Sequence, residues 1–178
     1  YDKEVDLLFQ STANGAVVYW MLESPTDGQL RVKPNCGGSA CKGYVDGFTS
    51  MPSNWQFEAA GDLDDGAGVA DMLWRDTTAN RVWFWRMSWS GTVLSVGDAG
   101  MVQDLAVDEA AWKVLGLVDV NGDGVQDIIW RQWYGDYGVY LWLMDNDPGS
   151  YGEMVTGGNK TLDDAVPSSW RIKGLSNY

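Results

Sequence analysis

A chain of 178 residues with 45% apolar residues has enough material for one domain with its own core, and its formal net charge is −13. That acidity repels nucleic acid and anionic membrane surfaces and attracts cations, and no apolar run is long enough for membrane insertion. Histidine is absent, which removes the commonest general base and the commonest zinc ligand together. The chain starts at Tyr1 without a visible signal peptide, as expected of a processed or trimmed product.

The first predicted strand is Asp6-Leu-Leu-Phe-Gln, followed by a turn and a second strand, AVVYWML. The same pair recurs as Asp71-Met-Leu-Trp-Arg with RVWFWRM, and as Asp127-Ile-Ile-Trp-Arg with GVYLWLM. From leading Asp to second-strand Trp the separation is 14 residues for Asp6–Trp20, 14 for Asp71–Trp85 and 15 for Asp127–Trp142. A third marker is a Trp-led strand ending at glycine, beginning at Trp55, Trp112 and Trp170, which stand 57 and 58 residues apart. In GVYLWLM both alternating faces are apolar, so the strand needs cover on both sides, as stacked small sheets provide. No segment keeps a clean helical period. The expected fold is all-β, a single domain over 1–178 with propeller-type blades, about three four-stranded antiparallel repeats.

Blade 2 is expected over about 55–111 and blade 3 over about 112–169. Blade 1 lacks a Trp-led strand at its front while the chain ends with one, so it is split between the termini, about 170–178 plus 1–54. Trp170 to Asp6 across the joined ends spans 14 residues, close to the 16 and 15 of the intact junctions Trp55–Asp71 and Trp112–Asp127. An insertion near 30–48 holds Cys36 and Cys41 in CGGSAC, read as a disulfide rather than a metal or redox pair, which points to secretion. Asn159-Lys160-Thr161 is a glycosylation sequon.

Between the Trp112 strand and the Asp127 strand lies Asp-Val-Asn-Gly-Asp-Gly-Val-Gln-Asp. Asp119, Asn121, Asp123 and Asp127 place oxygens at alternating positions, Val125 offers its carbonyl, and Gly124 permits the sharp turn. Such a set suits Ca2+, a hard cation taking oxygen ligands; position twelve is Trp130 and the flanks are strands, so the loop is not an EF-hand. The alternative is a polar Asn-Gly/Asp-Gly turn that binds nothing. A second, weaker candidate is Asp62, Asp64 and Asp71, in a loop one residue longer without a clear fifth-place oxygen. Asn177, Asp2 and Asp6 remain at the split junction, where metal is not expected.

Trp112, Gly116, Asp119, Asn121, Gly122, Asp123, Gly124, Asp127, Trp130 and Arg131, followed by a strand with Trp142 and Met144, resemble the FG-GAP/VCBS repeat of integrin-α-like propellers and related fungal and bacterial lectins. The resemblance covers nearly the whole chain outside the cysteine insertion. It implies that each repeat is a blade and that Asp119, Asn121, Asp123, the Val125 carbonyl and Asp127 hold calcium. A closed propeller needs about four to eight blades. Three imply self-association, either a homodimer of six blades completed by exchanged C-terminal strands or a head-to-tail filament, unless further blades sit on another polypeptide.

The first expectation for function is an extracellular binding module for carbohydrate or a glycosylated surface. Trp89, Trp133, Tyr134 and Tyr137 fall at or near turns, where their rings can stack on sugars; packing between blades is the alternative. Arg75 and Arg131 either touch the ligand or pair with carboxylates. Trp20, Trp55, Trp85, Trp112, Trp142 and Trp170 recur at fixed repeat positions and are expected in the core. The alternative function is a structural subunit of an extracellular assembly or filament. Catalysis finds no nucleophile–base pair, phosphate loop or cofactor motif, so the chain is not expected to be an enzyme beyond an accessory part of a secreted one.

Overall fold

Alternating β-branched and aromatic residues, punctuated by Asn, Gly and Asp, become short antiparallel strands in the computed structural model, which describes residues 7–23, 30–36, 41–64, 69–90, 93–103, 107–108, 110–135, 137–147, 149–150, 152–161 and 169. Among these residues there is no α-helix, and none is therefore long and apolar enough to cross a membrane. Four antiparallel sheets form, none of them closed. Backbone contacts divide the chain into two compact units, Tyr1–Trp55 with Met87–Gly97, and Gln56–Arg86 with Asp98–Tyr178.

In the first unit β1 (Leu7–Gln10) and β2 (Val17–Trp20) form a hairpin. Its turn is closed by the Gly15 N–H donating to the Ser11 carbonyl at 2.8 Å. Gly15 has φ +72°, and a Cβ there would lie 2.5 Å from the Met51 carbonyl oxygen, so only glycine fits. After a two-stranded ribbon, β3 (Leu22–Glu23) with β4 (Arg31–Val32), the chain returns as β5 (Lys42–Tyr44) beside β2. Cys36 and Cys41 are joined in a disulfide with Cα atoms 5.5 Å apart. The Met21 N–H bonds to the Cys41 carbonyl at 2.8 Å, which ties the insertion to the end of β2. The pairing expected between 170–178 and the Asp6 strand lies outside the described residues, among which β1 is an edge strand.

The second sheet is β6 (Trp55–Gly61), β7 (Asp71–Asp76), β8 (Arg81–Ser90) and β9 (Val93–Met101), in that order. The outer part of its β8–β9 hairpin, Met87–Gly97, belongs to the first unit. The third sheet is β10 (Trp112–Val118), β11 (Asp127–Gln132), β12 (Val139–Met144) and β13 (Met154–Thr161), again in sequence order. Register repeats with the sequence: Leu7 faces Trp20, Met72 faces Trp85 and Ile128 faces Trp142, while Phe9, Trp74 and Trp130 face Val18, Trp83 and Tyr140. Equal register sends equivalent side chains to equivalent faces, because a one-residue slip would invert them all.

The core of the second unit joins the last two sheets. Leu73, Val82 and Phe84 from one face of the second cluster with Ile128, Trp130 and Trp142 from the opposite face of the third. Trp74 and Trp130 are 0% and 1% exposed. Burying about 200 Å2 of indole at roughly 25 cal/mol per Å2 stabilises the fold by on the order of 5 kcal/mol each, before entropy is counted. Trp142 is buried as its repeat position predicts, but Trp20 at the same position is 39% exposed and does not belong to a core. Trp170 lies outside the described residues.

Candidate metal centre

Both candidate metal loops lie where a Trp-led strand hands over to an Asp-led strand. In the second sheet β6 ends at Gly61 and β7 begins at Asp71, whose side chain is fully buried. Asp71 Oδ2 accepts the Leu63 N–H at 2.9 Å, and Asp62 Oδ1 accepts the Asp64 N–H at 3.3 Å. These bonds turn the chain so that carboxylate oxygens of Asp62, Asp64 and Asp71 lie within 4.8 Å of one another, the one such group of three acidic residues among the described residues. Asp64 Oδ1 is buried with no hydrogen-bond partner, while its Oδ2 stands 4.0 Å from Arg86 Nε. Three carboxylates this close repel one another unless a cation joins them, and an all-oxygen set suits a hard divalent ion. The group can hold a metal ion. Asp65 lies outside the described residues.

In the third sheet Asp127 takes the place of Asp71, and it too is fully buried. Asp127 Oδ2 accepts the Val120 N–H at 3.0 Å and Oδ1 accepts the Met144 N–H at 2.8 Å. Burial raises its pKa above the ordinary carboxylate value, the two backbone donors oppose this, and the charges of Asp123 and Asp119 add to the rise. Asp119 accepts the Gly122 N–H at 2.7 Å and the Gly124 N–H at 3.1 Å. Asn121 Oδ1 accepts the Asp123 N–H, Asn121 Nδ2 donates to Asp123 Oδ2 at 2.8 Å, and Asp123 Oδ1 accepts the Val125 N–H at 3.0 Å. The Val125 side chain is in the core.

The loop that the sequence favours is therefore folded on its own hydrogen bonds, and the one it ranks second brings three carboxylates together. The carboxylate oxygens of the first loop are not exhausted, since a carboxylate offers about four lone-pair sites and each here accepts two hydrogen bonds. Gln126, which no sequence pattern singles out, joins the two loops: its N–H donates to the Asp62 carbonyl at 2.8 Å and its Oε1 accepts the Asp62 N–H at 3.0 Å. A Cβ at Gly61 would collide with that Oε1, so the approach depends on glycine.

Arg75 and Arg131, expected either to touch a ligand or to pair with carboxylates, both lie buried. They are 0% and 1% exposed. Arg75 pairs with Glu58, donates to the carbonyls of Val107 (2.8 Å) and Trp112 (3.3 Å), and lies 5.3 Å from the centre of the Trp130 ring. Gln10, at the same repeat position, donates to the Trp55 carbonyl at 2.8 Å. A side-chain donor three residues after the start of the β1, β7 and β11 hydrophobic run is thus a structural latch in the first two repeats. Arg131 lies 5.5 Å from the centre of the Trp133 ring.

Trp133 leaves β11 with its N–H bonded to the Ala111 carbonyl at 2.7 Å, and the hairpin closes through the Gln132 N–H to the Gly138 carbonyl at 3.0 Å. Tyr134 at its tip is 65% exposed, and Tyr137 is held at φ +57°. Trp89 stands on β8 in the first unit, half-exposed and edge-on to Tyr19 with ring centres 5.7 Å apart. The third-sheet hairpin therefore brings Trp133, Tyr134 and Tyr137 into one loop. No family model, curated protein or solved structure matches the chain.

Proposed function

We propose that the chain is a secreted, calcium-binding module of FG-GAP/VCBS-like, propeller-type repeats that recognises carbohydrate on a glycosylated surface. The observation that carries the metal part is the convergence of Asp62, Asp64 and Asp71, with the buried, unpartnered Asp64 oxygen among them. A bound Ca2+ supplies positive charge that offsets the mutual repulsion of the carboxylates. Asp62 and Asp64 hold the exit from β6, Asp71 holds the entry to β7, and Asp119, Asn121, Asp123, the Val125 carbonyl and Asp127 form the second set. The disulfide is compatible with an oxidising compartment.

The carbohydrate reading rests on the β11–β12 hairpin. Tyr134 offers an open ring, Trp133 a ring fixed by Arg131 and by its backbone bond to Ala111, and flat apolar faces with polar edges suit sugar rings. The test is retention on a set of immobilised sugars in calcium, with release by free sugar. Retention lost in Tyr134→Ala and Trp133→Ala supports the reading; no retention on any resin, or equal retention of the variants, overturns it.

A second reading, a structural subunit built by strand exchange, draws on β1 being an edge strand among the described residues. It predicts large species that form without sugar and vanish when 170–178 is removed.

A further inference from the structure

The two faces of the first sheet differ in fate. Register places Leu7, Trp20 and Lys42 in one cross-strand row and Phe9, Val18 and Tyr44 in the next, so these six side chains share a face. Leu8, Gln10, Val17 and Tyr19 share the other, where Val17 and Tyr19 are 1% and 4% exposed. The first face is open: Leu7, Phe9, Trp20 and Tyr44 are 38%, 40%, 39% and 46% exposed.

In the other repeats most of the same positions are closed, with Trp85, in place of Trp20 in the second sheet, half-buried. Met72 and Ile128, in place of Leu7, are both 0% exposed; Trp74 and Trp130, in place of Phe9, are 0% and 1% exposed; Trp142, in place of Trp20, is 4% exposed. In the third sheet the cover is another sheet, whose Leu73, Val82 and Phe84 enter the same core while Arg75 lies over Trp130. The sequence thus writes onto the first sheet a face of the kind that a neighbouring sheet buries, and leaves it bare.

We propose that this face is a self-association surface, covered by the same face of a second copy of the chain. A head-to-tail stack would need the opposite face of the third sheet. There Ile129, Arg131 and Val139 are already buried, at 8%, 1% and 3% exposure. Among the described residues, the sheet face left open at these repeat positions is the one bearing Phe9 and Trp20, and a twofold axis brings it against itself. Charge agrees. Each chain carries −13, yet none of the six side chains is acidic and Lys42 is a cation that can lie over a partner's ring. The patch is on the order of a few hundred Å2 per copy, short of the roughly 800 Å2 per partner of stable complexes, so the dimer is weak and reversible.

Analytical ultracentrifugation of the whole chain, in calcium and without sugar, tests this. A concentration-dependent monomer–dimer equilibrium is expected, tightened by added salt because the net charges of the copies repel. Phe9→Lys and Trp20→Lys should each weaken it by about tenfold or more with the folded state retained, while Tyr134→Lys leaves it alone. Should either lysine variant fail to fold, hydroxyl-radical labelling of wild-type Phe9 and Trp20 must fall as dimer forms. A monomer up to about 1 mM, a dimer indifferent to both folded variants, or labelling unchanged on dimerisation overturns the proposal.

Discussion

Removing the Arg75 guanidinium would strip Glu58 and the carbonyls of Val107 and Trp112 of their donor inside a region closed to water. Breaking a buried charge pair from one side costs about 3–5 kcal/mol. Arg75→Ala should therefore destabilise by that amount in chemical denaturation, and Glu58→Gln, which leaves the buried Arg75 charge without its carboxylate, by a similar amount. Tyr19 gives a pH test. Burial pushes its phenol above the ordinary value of 10.0, against a backbone hydrogen bond from Leu94 that lowers it. The native state thus favours the neutral phenol. Its contribution is intact below the ordinary value and is lost as pH rises from there through the raised folded value. Melting temperature should fall as pH rises above about 10, and Tyr19→Phe should flatten that fall. At this scale the sequence is least legible: Arg75 and Trp20 carry the right chemistry for a ligand contact and a core residue, but burial depends on what lies across the sheet, which spacing along one strand does not contain.

Strand pairs are far more legible. The separations from Asp6, Asp71 and Asp127 to their partner tryptophans anticipate hairpins with identical register, because alternation and turn chemistry act locally. The metal loops are legible only in part. Alternating oxygens at Asp119, Asn121, Asp123 and Asp127 mark a tight loop equally well whether the carboxylates face a cation or their own backbone, and here they bond the amides of Val120, Gly122, Gly124, Val125 and Met144. Asp62, Asp64 and Asp71 converge across a loop one residue longer, so their spacing advertises a site less clearly than that of the third-sheet loop. Because Gln126 bridges the two loops through Asp62, Gln126→Ala should weaken calcium affinity at the second-sheet site without removing any acidic ligand. Isothermal titration of the variant checks this; unchanged affinity would show that the loops act independently. On the β11–β12 hairpin, Tyr134→Ala should cost about 1 kcal/mol of sugar binding, roughly fivefold in Kd.

For the molecule as a whole, the all-β class and the repeat of four-stranded sheets follow from patterns that need no knowledge of neighbours. The split first blade is another matter: its test pairing, Trp170–Tyr178 with Asp6–Gln10, lies outside the described residues. What the described part adds is a first sheet with one face bare where its repeats are mostly buried, a difference invisible in one strand and plain across three. Stabilisation by a cation bound only to the native state joins the scales, since it grows as RT ln(1 + [L]/Kd), about 1.4 kcal/mol at tenfold excess over Kd. The most direct measurement is the melting temperature in chelator and in rising calcium, for wild type and for Asp64→Asn with Asp71→Asn. The wild type should gain on the order of 3–6 °C in a saturable way, and the double variant should lose most of that gain. A wild type whose melting temperature ignores both chelator and calcium would contradict a cation at these strand junctions.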